Sequence, residues 1–131
     1  MSTRSAIILK VAEGRFSGVY CHSDGYPSGV GKTLLEHYQE RAKVESLILL
    51  GDLSDLGERA DPVGPHSFEK PEPGTTLAYM RDRGEKDCEP HHSATAAEVA
   101  EGIDHQYAYV FEDGRWTCDG EPLDQAVAAD E

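Results

Sequence analysis

The chain has 131 residues, 38% hydrophobic and 28% charged, which is room for one domain with a core of its own. Asp and Glu total 25 against 12 Lys and Arg, a formal charge of −13. No apolar run approaches the ~18–20 residues of a membrane span, and Met1-Ser2-Thr3-Arg4-Ser5 reads straight into a strand pattern instead of a secretory signal; these features argue against large multidomain enzymes, membrane proteins and secreted disulfide scaffolds.

In chain order, a β-hairpin is predicted first, over residues 5–22. Ser5-Ala6-Ile7-Ile8-Leu9-Lys10-Val11 is β-branched and apolar, Glu13-Gly14 is a turn signal, and Phe16 to His22 is the return strand. A two-residue loop would set Val11 opposite Phe16 and Ile7 opposite Tyr20, with Leu9 on the same face. After the turn Ser23-Asp24-Gly25-Tyr26-Pro27, a helix follows with Val30, Leu34, Leu35 and Tyr38 at helical spacing. A second helix over about 41–50 carries Val44, Leu47, Ile48 and Leu50, and Gly51 stands at its C-terminal cap.

Residues 51–75 hold four prolines and four glycines, an irregular segment of the kind that is functional or mobile. Thr75 to Arg81 reads as a short strand and Arg81 to Asp87 as a charged turn. Ser93 is placed to cap a helix in which Ala96, Val99, Ala100 and Ile103 share a face. Gln106 to Cys118 forms a second hairpin around Asp113-Gly114. The expected fold is α+β: one domain over residues 1–121, its mainly antiparallel sheet built from two hairpins and a short strand, with three helices on one face. Residues 122–131 read as an acidic, disordered tail.

The charge is unevenly spread. Residues 1–50 hold six basic and five acidic residues, and residues 51–131 hold six basic and twenty acidic. Such a surface repels nucleic acid phosphates and disfavours direct DNA or RNA binding. It suits a basic protein surface, with Glu85, Asp87 and Glu89 as the clustered acids that would face it. Cys21, Cys88 and Cys118 are expected as free thiols.

Motifs for chemistry are weak. Gly29-Val30-Gly31-Lys32-Thr33 resembles the end of a phosphate-binding loop, but Tyr26 stands where its first glycine belongs. Free amides at that helix start, with Lys32, are suited to an anion. Cys21-His22 and Cys88 to His92 offer metal-ligand types without the two close pairs that zinc takes. No metal, cofactor or catalytic residue is assigned. The alternative to an acidic docking face is a pocket for a small phosphorylated or nucleotide signal, made from His22, Asp24, Tyr26, Lys32, Arg81 and Arg83. In that pocket Asp24 would orient the His22 imidazole, and the pair would serve as acid and base if the signal were hydrolysed.

Several runs together carry a resemblance. Thr3-Arg4-Ser5-Ala6-Ile7, His22-Ser23-Asp24-Gly25-Tyr26-Pro27, Leu50-Gly51-Asp52-Leu53-Ser54-Asp55 and Tyr79-Met80-Arg81-Asp82-Arg83-Gly84-Glu85 lie in residues 3–118. With the closing Tyr-rich hairpin, they resemble a family of small proteins encoded by bacteriophages and prophages. Ser23 stands where that family carries an aromatic residue, usually Trp. The resemblance brings no catalytic residues; it implies an accessory protein made in the cytoplasm of a bacterial host. The expectation is a non-enzymatic counter-defence protein of the anti-CRISPR type, bound to a host defence protein or nucleoprotein complex through its acidic surface.

Overall fold

The computed structural model describes residues 2–131. Among them eight strands form one mixed sheet in the order β4-β3-β2-β1-β6-β7-β8, with β5 also paired to β2. The first hairpin is β1 (Ser5–Ala12) and β2 (Arg15–Cys21). A π-helical turn at Pro27–Gly31 runs into α1 (Lys32–His37), and α2 (Arg41–Leu49) follows. Then come β3 (Leu53–Asp55), β4 (Leu77–Ala78), α3 (Tyr79–Arg83), β5 (His91–Ser93) and α4 (Ala96–Glu101). The second hairpin is β6 (Tyr107–Glu112) and β7 (Arg115–Cys118), followed by β8 (Glu121–Pro122) and α5 (Leu123–Asp130).

The α+β class and both hairpins match the expectation; the arrangement differs in four respects. First, the sheet is mixed. β1 runs parallel to β6, Ser5 opposite Tyr107 through Leu9 opposite Phe111, and β2 meets β3 in parallel at Cys21 and Leu53. A central strand with helices on both sides is covered on both faces, and Ala6, Ile7 and Ile8 are indeed fully buried.

Second, the helices lie on both faces of the sheet. Ile7, Leu9, Val19, Tyr109, Phe111 and Trp116 pack against Val30, Leu34 and Tyr38, against Val44, Leu47 and Ile48 of α2, and against Leu123 and Val127 of α5. On the opposite face, Ala6 and Ile8 pack with Val99 and Ile103 of the α4 region, flanked by Phe16, Tyr20 and Val110. Gly18 allows that approach: a Cβ there would stand 2.7 Å from Val99 Cγ1 and 2.9 Å from Ile8 Cγ1.

Third, residues 122–131 are not a disordered tail. Leu123 and Val127, four residues apart, bury one face of α5. The Ser28 N–H and hydroxyl donate to the Asp130 carboxylate at 2.9 and 2.7 Å, which fastens the helix end to the π-helical turn. Fourth, the strand expected over 75–81 stops at Ala78, where α3 begins, and the α4 cap is Thr95 instead of Ser93. Thr95 Oγ1 accepts the Glu98 N–H at 3.1 Å, an N-cap bond, and the same hydroxyl donates to the Glu98 carboxylate at 3.0 Å.

The register of the first hairpin is displaced by a bulge. Lys10 pairs with Phe16 and Ala12 with Arg15, so Val11 is the extra residue. Ile7 therefore faces Val19, and Tyr20 faces Ala6 on the α4 side. The carbonyls of Lys10 and Val11 accept from the Arg41 guanidinium at 3.0 and 2.7 Å. Arg41→Ala is expected to lower stability by about 1–2 kcal/mol, since two charge-assisted bonds at a half-exposed site are lost. Denaturant unfolding checks this, and an unchanged midpoint would show that the bulge holds without Arg41.

Candidate functional site

The acidic run Glu85, Asp87, Glu89 lies on the segment joining α3 to β5. The segment has a fixed path. Gly84 and Asp87 take positive φ of 69° and 61°, the Glu85 N–H donates to the Tyr79 carbonyl, and the Cys88 carbonyl accepts from Asp52 N at 2.8 Å. Asp87 and Glu89 are exposed. Glu85 is paired with Arg83, so Asp87 and Glu89 carry most of the outward charge of the run.

Both arginines of the charged turn are engaged inside the molecule. Arg81 donates to the carbonyls of Ala60 and Thr76, each at 2.7 Å, and to Asp82. Asp82 also accepts from Ala78 N. Burial opposes ionisation of Asp82, but Arg81 and the Ala78 N–H outweigh it and hold the carboxyl below its ordinary value. Arg83 lies 4.6 Å over the Phe68 ring and 5.1 Å over that of Tyr79.

The six residues proposed for a phosphate pocket fall into separate places. Asp24, Tyr26 and Lys32 line a hollow of about 270 Å³, in which Glu36, Asp55 and Glu58 also stand. A phosphate there would meet four carboxylates against one lysine, the wrong balance for an anion. Arg81 and Arg83 are absent from its lining, and so is His22. The expectation that Asp24 orients His22 is corrected. The imidazole Nδ1 lies 2.6 Å from Tyr20 Oη and Nε2 lies 3.2 Å from Ser2 Oγ. Asp24 instead accepts from the Tyr26 hydroxyl at 3.2 Å and has a positive φ of 56°. The two side chains diverge because residue 24 leaves the strand line.

Three residues outside both predicted site sets organise this end of the molecule. Asp52 accepts the Tyr20 N–H at 3.0 Å, and burial raises its carboxyl pKa. Its own carbonyl accepts from Tyr79 N, so it joins β2, α3 and the acidic segment. The His66 side chain, 1% exposed, has Nδ1 accepting from Glu72 N at 2.9 Å and Nε2 3.1 Å from Asp82. Glu72 accepts from Thr75, Arg59 and the N–H groups of Val63 and Gly64. The long Pro- and Gly-rich segment is thus built around one carboxylate.

These bonds, the Thr75 hydroxyl first, then the Val63 N–H and Arg59, bring Glu72 down from 4.5 to about 2. A folded pKa below the unfolded one stabilises fully above about 4.5, and that stability is lost as pH falls from there through about 2. Thermal midpoints measured across this window should fall more steeply for the native chain than for Glu72→Gln. Parallel curves would show that the loop does not depend on the charge.

Compared with protein-family models, curated proteins and solved structures, the chain matches none of them. Among the described residues, no helix is long and apolar enough to cross a membrane, and no group of three or more His, Cys, Asp or Glu is arranged to hold a metal ion. Cys21, Cys88 and Cys118 are free thiols.

Proposed function

We propose that this protein acts by docking a fixed acidic surface onto a basic partner, without transforming it. In the setting implied by its phage-protein resemblance, that partner is a host defence protein or nucleoprotein complex in the bacterial cytoplasm. The protein is then a counter-defence inhibitor of the anti-CRISPR type. One observation carries the reading: both arginines of the charged turn are engaged by groups of the chain itself, and two of the carboxylates that follow them stand exposed. Arg81 is spent on backbone carbonyls and Asp82, while Asp87 and Glu89 stand exposed on a braced segment. Attraction over a Debye length of ~8 Å steers such an encounter and weakens with salt.

The test is charge reversal. The triple variant E85K/D87K/E89K should associate with the captured defence complex about tenfold more slowly at low salt, and inhibition should fall with it. Inhibition that stays intact and insensitive to salt would sink the proposal.

A further inference from the structure

We propose that the hollow between α2 and the loop after β3 binds the phosphoryl group of a small phosphomonoester, held by Lys43, Ser46 and Arg59. The hollow measures about 210 Å³ and is lined by Tyr38, Lys43, Ser46, Arg59, Ala60 and Asp61. Four other hollows on the surface carry at least as many carboxylates as Lys and Arg side chains in their walls. Here two cations meet one carboxylate, in a chain whose formal charge is −13. The site shares no residue with the Asp24, Tyr26 and Lys32 hollow or with the Glu85–Glu89 segment.

The fold positions each group. Lys43 and Ser46 stand three residues apart on α2 and share a face of the helix. Among the described residues Lys43 has no carboxylate partner; its ammonium lies 5.6 Å from the Tyr38 ring centroid, a cation–π contact that holds it to this wall. Arg59 is anchored at one nitrogen: Nη2 donates to the Glu72 carboxylate and to the Pro73 carbonyl, each at 2.9 Å. Its Nε–H is buried without an acceptor, and Nη1 makes no hydrogen bond among the described residues. The planar guanidinium is therefore fixed with donors to spare. Glu72 is absent from the walls and balances Arg59 from outside the hollow.

Asp61 is the opposing charge. Its side chain is 74% exposed, and Oδ1 lies 3.4 Å from Arg81 Nη1, so Arg81 offsets it without drawing on Lys43 or Arg59. An ammonium, a guanidinium and a hydroxyl are the complement of a phosphoryl dianion, whereas a carboxylate would leave one cation uncompensated. The strongly negative field of the whole molecule repels a polyanion, which selects a small ligand over the phosphorylated end of a nucleic acid.

The test titrates the full chain at low salt with adenosine monophosphate, adenosine, inorganic phosphate and acetate, and follows amide and arginine Nε–H resonances by NMR. The monophosphate should bind at least about tenfold tighter than adenosine. Inorganic phosphate should compete with it, and both should shift Lys43, Ser46 and the Arg59 Nε–H. Lys43→Gln should weaken the monophosphate about fivefold or more, and Asp61→Asn should tighten it about twofold to fivefold. Both positions are exposed, so the circular dichroism spectrum should stay native.

Equal binding of the monophosphate and adenosine overturns the proposal, as does the absence of phosphate binding. Acetate binding as tightly as inorganic phosphate overturns the phosphoryl assignment. Shifts confined to Gly29, Lys32 and Thr33, or an affinity that neither substitution moves, overturn the location. A 5′-phosphorylated oligonucleotide that binds tighter than adenosine monophosphate overturns the choice of a small ligand.

Discussion

Gly51→Ala is expected to destabilise the protein by about 3 kcal/mol. Gly51 ends α2 with a φ of +79°, a left-handed conformation that costs an L-residue about 1–2 kcal/mol. A methyl group there would stand 2.2 Å from the Cys88 carbonyl oxygen, which is backbone and cannot swing aside. That oxygen accepts the Asp52 N–H at 2.8 Å, a bond worth about 1 kcal/mol. Relieving the overlap must displace residues 85–89, so the variant should also weaken partner docking. Gly84→Ala supplies the control, with a similar φ of +69° and nothing near its missing Cβ. It should cost about 1 kcal/mol, the backbone share alone. Equal losses in urea unfolding would show that the contact with Cys88 carries no energy.

Trp116→Ala is expected to cost about 3–5 kcal/mol, the range for removing a large buried aromatic side chain. Trp116 sits 5.1 Å from the Phe111 ring, and its Nε1–H donates to the Tyr38 carbonyl at 2.8 Å. Tyr38 continues the connection, since its hydroxyl donates to the Gly57 carbonyl at 2.8 Å. Burial pushes that hydroxyl up to about 12, so it remains a donor. The second hairpin, α1 and the 57–75 loop are therefore joined through two side chains. Trp116→Phe keeps most of the apolar contact but leaves the Tyr38 carbonyl without this donor, and should cost about 1–2 kcal/mol. Trp116 is the chain's single tryptophan, so unfolding is best followed by circular dichroism. A loss below about 1 kcal/mol for Trp116→Ala would mean the core closes over the gap.

What the sequence disclosed depended on how local each determinant was. Asp113-Gly114 supplies the positive φ angles of 53° and 76° that a tight hairpin takes, and the hairpin forms where the dipeptide stands. Gly51 caps its helix for the same reason. The register of the first hairpin was not legible. Arg41 secures the bulge at Val11 from 30 positions away, and a strand that is apolar on both faces gives no alternation to fix the pairing.

The continuous apolar run of β1 did carry information, for it marks a strand covered on both sides. That reading would have placed helices on both faces and a parallel neighbour beside it. The acidic character of residues 122–131 masked the Leu123–Val127 spacing. The exposure of Leu49 left one trace: Leu47-Ile48-Leu49-Leu50 is four apolar residues in a row. A helix with one buried stripe cannot turn all four inward, so an apolar residue out of phase was already implied. Glu72 and His66 act through contacts that the loop itself creates, and no spacing rule points to them.

The pairing of Ser5 with Tyr107 bears on how the chain comes to be folded. β1 leaves the ribosome well before its parallel neighbour, which emerges about a hundred residues later. Until then one edge of a very apolar strand stands bare, apart from its hairpin partner. Assembly must wait for a contact of high sequence separation, which slows folding and prolongs the exposure of that edge. A chain ending before residue 107 should accordingly aggregate, and full-length material should refold in milliseconds to seconds instead of microseconds.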